Sequence, residues 1–127
     1  MPHLHIEYSK GLDTQTDLPF LLSAIHKYMV ASDIFPTAGI RIRAFAADHA
    51  IIADNVDKNH FLAMTLSVGA GRNTDVLRAE GNQIFKIAQE HLKAVLSEPY
   101  FALSLEIREI NAELSWKDTP IHKRLSK

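Results

Sequence analysis

One order of periodicities occurs twice in this chain, and it constrains the fold more than any other feature. An alternating segment is followed by a segment of helical spacing and then by another alternating segment. In residues 1–8, Leu4, Ile6 and Tyr8 alternate with His3, His5 and Glu7, the period of two of a half-buried strand. Asp17 reads as an N-cap, with Pro19 in the first turn of a helix that runs to about Ala31. Leu18, Leu21, Leu22, Ile25, Tyr28 and Met29 mark its apolar face. A turn over Phe35-Pro36-Thr37-Ala38-Gly39 leads into a second strand, Ile40 to Ala46.

The order then repeats. A third strand spans about Phe61 to Val68, and its two fairly apolar faces predict a central position covered on both sides. Asn73 or Thr74 caps a second helix whose buried face runs through Leu77, Gly81, Ile84, Phe85, Ala88, Leu92 and Val95, ending near Leu96. A fourth strand spans about Tyr100 to Ile110. Between the halves, residues 48–58 form a polar connection in which Ala50 to Ala53 is a short strand or a turn. Residues 111–127 form a tail holding Trp116 and the basic run His122-Lys123-Arg124. Two βαβ units imply an α+β fold: one four-stranded mixed sheet with two helices on one face. Phe45, Phe61 and Ala63 fall on the other face and are too apolar for water, so a partner subunit is expected to cover them.

The 127 residues suit a single domain, 1–127, and no linker divides them. A net charge of −1 with seven histidines gives no bulk basicity for nucleic acid. Cysteine is absent, which removes disulfides, thiolate metal sites and a cysteine nucleophile. No apolar run is long enough to cross a membrane and no signal peptide is visible, so a cytoplasmic location is expected.

Three places offer chemistry. Pro2 heads the first strand, and a small second residue normally allows the initiator methionine to be removed. The secondary amine so exposed would serve as a general base if burial lowered its pKa towards 7. Arg41 and Arg43 project from one strand face; they meet an anion, or form an exposed sheet face, or pair with Glu7 and Glu106. Gly69-Ala70-Gly71-Arg72 opens the second helix and combines flexible backbone, free N–H groups and a guanidinium, a natural anion site unless it is a plain strand-to-helix turn. His3 and His5 share a strand face but lack a third metal ligand at helpful spacing, so no metal is expected. The remaining histidines, His60 and His91 among them, read as solvated or hydrogen-bonded.

Four motifs occur in order over nearly the whole chain. They are Pro2 at the head of a strand, Phe35-Pro36-x-Ala38-Gly39-Ile40-Arg41-x-Arg43, Met64-Thr65-Leu66-x-x-Gly69-Ala70-Gly71-Arg72, and Ala102-Leu103-Ser104-Leu105-Glu106-Ile107. Together they resemble the 5-carboxymethyl-2-hydroxymuconate isomerase family of the tautomerase superfamily. The resemblance implies a tautomerase-like fold and a homotrimer with active sites near the subunit interfaces. It also implies a cofactor-independent double-bond shift in a small polycarboxylate during homoprotocatechuate degradation. It makes Pro2 the catalytic residue and Arg41 and Arg72 the substrate-binding ones; by their positions in the chain, Arg43 and His3 are further candidates and Phe45 is part of an apolar wall. A tautomerase of a smaller 2-oxo acid such as phenylpyruvate and a non-catalytic trimeric binding protein share the same fold and stand as alternatives.

Overall fold

A computed structural model describes residues 1–125; Ser126 and Lys127, at the end of the expected 1–127 domain and of the tail, lie outside the described residues. The elements are β1 (His3–Ser9), α1 (Leu18–Ala31), β2 (Arg41–Ala47), β3 (His60–Gly69), α2 (Thr74–His91), α3 (Lys93–Leu96), β4 (Phe101–Ile110) and α4 (Pro120–Leu125). The sheet order is β2-β1-β3-β4. Within each βαβ unit the strands are parallel neighbours, and the two units meet through the antiparallel pair β1 and β3.

Register separates the two faces. Leu4 lies beside Ile42 and Leu66, and Ile6 beside Ala44 and Met64. This row continues into Leu105 and Ile107 on β4. These side chains meet Leu18, Leu21, Ile25 and Met29 of α1 and Leu77, Ile84 and Ala88 of α2, so both helices lie on one face. Each large side chain fully buried there contributes about 1.5–3 kcal/mol.

The helix starts follow from their caps. The Asp17 carboxylate accepts from the Phe20 N–H, and the Asn73 side chain accepts from the Asp75 N–H. The second helix does not run unbroken to Leu96. It stops at His91, because Leu92 leaves helical geometry at φ −104° and ψ 17°, and α3 follows as a separate turn. Leu92 is buried on both descriptions, so the apolar periodicity passes through the break without marking it. Residues 50–53 form no strand; a turn follows instead, closed by the Asn55 N–H donating to the Ile52 carbonyl at 2.8 Å, with Ala53 at φ 52° and Asn55 at φ 63°. Among the described residues no helix is long and apolar enough to cross a membrane.

One polar cluster joins the helices. Tyr28 and Ser32, on α1 and at its C-cap, both donate to the carboxylate of Glu80 on α2, which is itself buried. Burial first, and then the bond to Glu80 and its negative charge, push the Tyr28 hydroxyl up to about 12. Hydrogen bonds to a charged group contribute about 1.5–3 kcal/mol each, so Glu80→Ala is expected to cost about 3 kcal/mol in urea unfolding. A loss below about 0.5 kcal/mol would show that water replaces the carboxylate at no cost.

Candidate active site

The amino terminus sits where three segments meet at one end of the sheet. β1 begins there, the 3₁₀ turn Thr37–Gly39 precedes β2 there, and β3 finishes there at Gly69. Pro2 is buried. Its carbonyl accepts the Arg41 N–H at 3.0 Å, which extends the β1–β2 pairing to the second residue of the chain. The ring is held by Gly39: a methyl group at that position would lie 3.0 Å from Pro2 Cδ and 3.8 Å from Pro2 N. A side chain there would press the ring and the Met1 backbone by a few tenths of an ångström, so glycine at position 39 lets the turn close tightly over Pro2.

The Gly69–Arg72 turn closes the other side. A methyl group at Gly69 would stand 3.9 Å from the Met1 nitrogen and 3.7 Å from Arg72 Nη1. Arg72 is fixed by its own turn and by the helix-to-strand connection of the first unit. Its Nη1 donates to the Gly69 carbonyl at 3.2 Å, and its Nη2 donates to the Ile34 carbonyl at 2.9 Å. Arg41 folds back in the same way, with Nη1 donating to the Gly39 carbonyl at 2.9 Å. A guanidinium has five N–H donors in a rigid fork, so both arginines keep donors for an anion. Asn73 caps α2 immediately after Arg72, and the first N–H groups of that helix face the same turn.

The electrostatics match this geometry. Burial holds the amine of Met1 below the ordinary α-amino range, and the charges of Lys117, Arg72 and Arg41 lower it further. His3 is likewise lowered, first by burial and then by Arg41, Arg43 and the amino terminus, so it stays neutral at pH 7. Its Nε2 is buried without a hydrogen-bond partner among the described residues.

Of the residues singled out in the sequence, Pro2, Arg41, Arg72 and His3 come together. Arg43 does not join them closely. It pairs with His5 one row further along, is exposed, and has no ion-pair partner among the described residues. Ion pairs to Glu7 and Glu106 are absent among the described residues. Glu106 lies on β4, at the opposite edge of the sheet from β2, and bonds Arg108 at 3.0 Å instead. Phe45 stacks on His5 at 5.1 Å and is 51% exposed, so in one chain it walls nothing in. His3 and His5 share the face away from the helices, and no group of three or more metal-binding side chains occurs among the described residues.

Lys117 is the residue that sequence reasoning missed. It lies in the tail, which carries no periodicity, and only the path of the chain brings it near the amino terminus. A cleft of about 660 Å³ lies at the far end of the sheet, lined by Lys58, His60, Tyr100 and Phe101 among others. The Ser9–His60 pair beside it, 2.7 Å apart, is structural: Ser9 Oγ also accepts the Phe61 N–H and is buried.

Comparison with known proteins follows the geometry. The family model for 5-carboxymethyl-2-hydroxymuconate isomerase matches residues 2–125. The 5-carboxymethyl-2-hydroxymuconate Delta-isomerase of Escherichia coli is 34% identical over 122 residues, 96% of this chain and 97% of that one. The crystal structure of a 5-carboxymethyl-2-hydroxymuconate isomerase from Deinococcus radiodurans R1 superposes with a TM-score of 0.92 at 34% identity, covering 99% of this chain and 95% of that one. A fused 4-OT, named as a wild type symmetric trimer, shares the fold at a TM-score of 0.56 and 21% identity, covering 87% of this chain and 88% of that one.

Proposed function

The chain belongs to the 5-carboxymethyl-2-hydroxymuconate isomerase family, and from that premise we propose that it converts 5-carboxymethyl-2-hydroxymuconate into 5-oxopent-3-ene-1,2,5-tricarboxylate with the amine of Pro2 as proton carrier. One observation carries this reading: the buried Pro2 ring is clamped by Gly39 and flanked by the charges of Arg41 and Arg72. Removal of Met1 turns the Pro2 nitrogen from an amide into a secondary amine at that spot. The burial and cations that depress the Met1 amine then act on Pro2 and lower its pKa, which raises the share of neutral base near pH 7.

The reaction balances within the substrate. The neutral amine takes the 2-hydroxyl proton, and the oxygen lone pair forms C2=O. The C2=C3 pair shifts to C3=C4, and the C4=C5 pair takes a proton from the ammonium at C5. Negative charge grows on the 2-oxygen and on the conjugated carboxylates as this happens. Arg72 and Arg41 hold carboxylates and stabilise that charge through preorganised donors in a partly desolvated site. Arg43 and His3 line the adjoining sheet face, His3 as a neutral hydrogen-bonding group. No cofactor or metal takes part in these steps.

A homotrimer completes the site in this reading. The sheet face away from the helices carries the row Arg41, His3, Ser67 and Arg108 at the end where the chain starts, and Phe45, Phe61 and Ala63 towards the other end. The apolar end suits burial against a second copy, and the charged end leaves a polycarboxylate pocket at the seam. The fused 4-OT with the same fold is named as a symmetric trimer.

Turnover separates this reading from the two alternatives. Wild-type kcat/KM for 5-carboxymethyl-2-hydroxymuconate is expected to exceed that for phenylpyruvate by at least about 10³-fold, since a site built for charged groups rejects substrates lacking them by factors of this order. Equal turnover of both would favour a tautomerase of a smaller 2-oxo acid. Turnover of neither would favour a binding protein.

A further inference from the structure

The tail takes a defined path across the candidate site. Ile110, the last residue of β4, pairs with Gly69, so the chain leaves the sheet at the same end as Pro2. Asn111 caps a 3₁₀ turn, Ala112–Leu114, by accepting the Glu113 N–H at 3.0 Å. Further on, α4 packs against the Thr37–Gly39 turn, which precedes β2 at the other edge of the sheet. β1 and β3 lie between those two edges, so the segment joining the 3₁₀ turn to α4 spans three strand spacings, about 14 Å, over the start of β1.

Lys117 lies in the middle of that segment. It is exposed, and its charge acts on the amino terminus more strongly than those of Arg72 and Arg41. Lys117 is three residues from Pro120, the first residue of α4. Three extended residues reach about 10 Å, and the lysine side chain adds to this. Arg41 approaches the Pro2 position from the β2 side and Arg72 from the β3 side. Lys117 approaches from the strap that crosses both. Nothing in the proton transfer requires a third cation, but the proposed substrate has a third carboxylate, on its carboxymethyl arm.

The geometry points to Lys117 as a specificity-determining residue that holds one carboxylate of the tricarboxylate substrate, an inference that rests on the isomerase reading. Its ammonium is a compact charge on a flexible stem, suited to a carboxylate on a mobile arm rather than to the fixed, forked contacts of the two arginines. Binding the arm affects recognition more than the chemical step, since that carboxylate lies outside the conjugated system.

The test compares wild type, Lys117→Met and Lys117→Arg on two compounds: 5-carboxymethyl-2-hydroxymuconate, and 2-hydroxymuconate, the same dienol without the arm. Lys117→Met is expected to raise KM for the tricarboxylate by about 10- to 100-fold, the range of one lost charge-assisted hydrogen bond. Assayed above about pH 8, where the amine is the neutral base with or without the Lys117 charge, its kcat should stay within about threefold and its kinetics on 2-hydroxymuconate should not change, because only uniform binding of the arm is removed. Lys117→Arg should recover most of the loss. An unchanged KM, or an equal rise for both compounds, would overturn the assignment while leaving the isomerase reading intact. A wild type inactive on both compounds would overturn that reading instead. Calorimetric binding of propane-1,2,3-tricarboxylate against glutarate then decides Lys117 alone. A preference for the tricarboxylate that Lys117→Met abolishes supports it, and a preference that survives, or none in wild type, rejects it.

Discussion

Pro2→Ala is expected to lower kcat for 5-carboxymethyl-2-hydroxymuconate by about 10²- to 10³-fold, within the range of general acid–base catalysis, with KM changed less than about threefold. Alanine at position 2 still permits methionine removal, so a primary amine remains and part of the activity survives. What disappears is the ring. In the native chain the Gly39 turn passes so close to the pyrrolidine that a methyl group at position 39 would stand 3.0 Å from Pro2 Cδ, and the ring itself restricts the direction of the nitrogen. An unconstrained amine at a chain end samples many orientations, and misplacement of about 1 Å costs on the order of 10²-fold. The carbonyl of residue 2 still accepts the Arg41 N–H, so the β1–β2 pairing persists and thermal unfolding should hardly move. A loss of less than tenfold would show that the ring is not what aims the amine.

Arg72→Ala is the second large effect, a loss of about 10²- to 10³-fold in kcat/KM, the usual consequence of deleting one preorganised donor to a developing oxyanion. Both kcat and KM should worsen, because the same fork holds a ground-state carboxylate and meets charge that grows in the transition state. Part of the loss is structural. Arg72 bonds the carbonyls of Ile34 and Gly69, and its removal frees the turn that closes over the amino terminus. Arg72→Lys separates the two contributions. It keeps the charge but not the planar fork, and is expected to recover no more than about tenfold. Full activity in Arg72→Lys would reduce the residue to a point charge. Activity within about threefold of wild type in Arg72→Ala would dismiss it from the site.

Much of the fold was legible because two local signals agreed. Leu4 and Ile6 alternate with His3 and His5, and the caps at Asp17 and Asn73 stand where the period changes. The doubled βαβ order left few ways to arrange four strands, and the sheet order β2-β1-β3-β4 is one of them. Periodicity does not state which edges face which. Of the readings open for Arg43, the structure has the exposed sheet face and not an ion pair with Glu106, since β2 and β4 are the two edges of the sheet. The break at Leu92 was hidden because neither glycine nor proline marks it and the leucine stays buried.

The candidate site was legible in part. Arg41 follows the Pro36–Gly39 turn and Arg72 follows the Gly69–Gly71 turn, and both turns end beside Pro2. The role of Gly39 is a distance, and no pattern of residue types encodes a distance. Glu80 was hidden by the opposite effect: a carboxylate in a helical repeat reads as solvated, yet the hydroxyls of Tyr28 and Ser32 satisfy it in the interior. Lys117 belongs to a tail without periodicity, so its approach to the amino terminus depends on where β4 ends and where α4 docks.

The central claim is that the Pro2 nitrogen is a free amine with a depressed pKa. A ¹⁵N NMR titration of protein labelled at its proline nitrogens tests both halves at once. The ammonium form predominates below the pKa and the neutral base above it, so a depressed pKa leaves more base at pH 7. One proline nitrogen that titrates, with a midpoint below the ordinary α-amino value of about 8, is the expected result. Contradiction would take either of two forms: no titrating proline nitrogen, which means that Met1 remains and Pro2 is an amide, or a midpoint above that value.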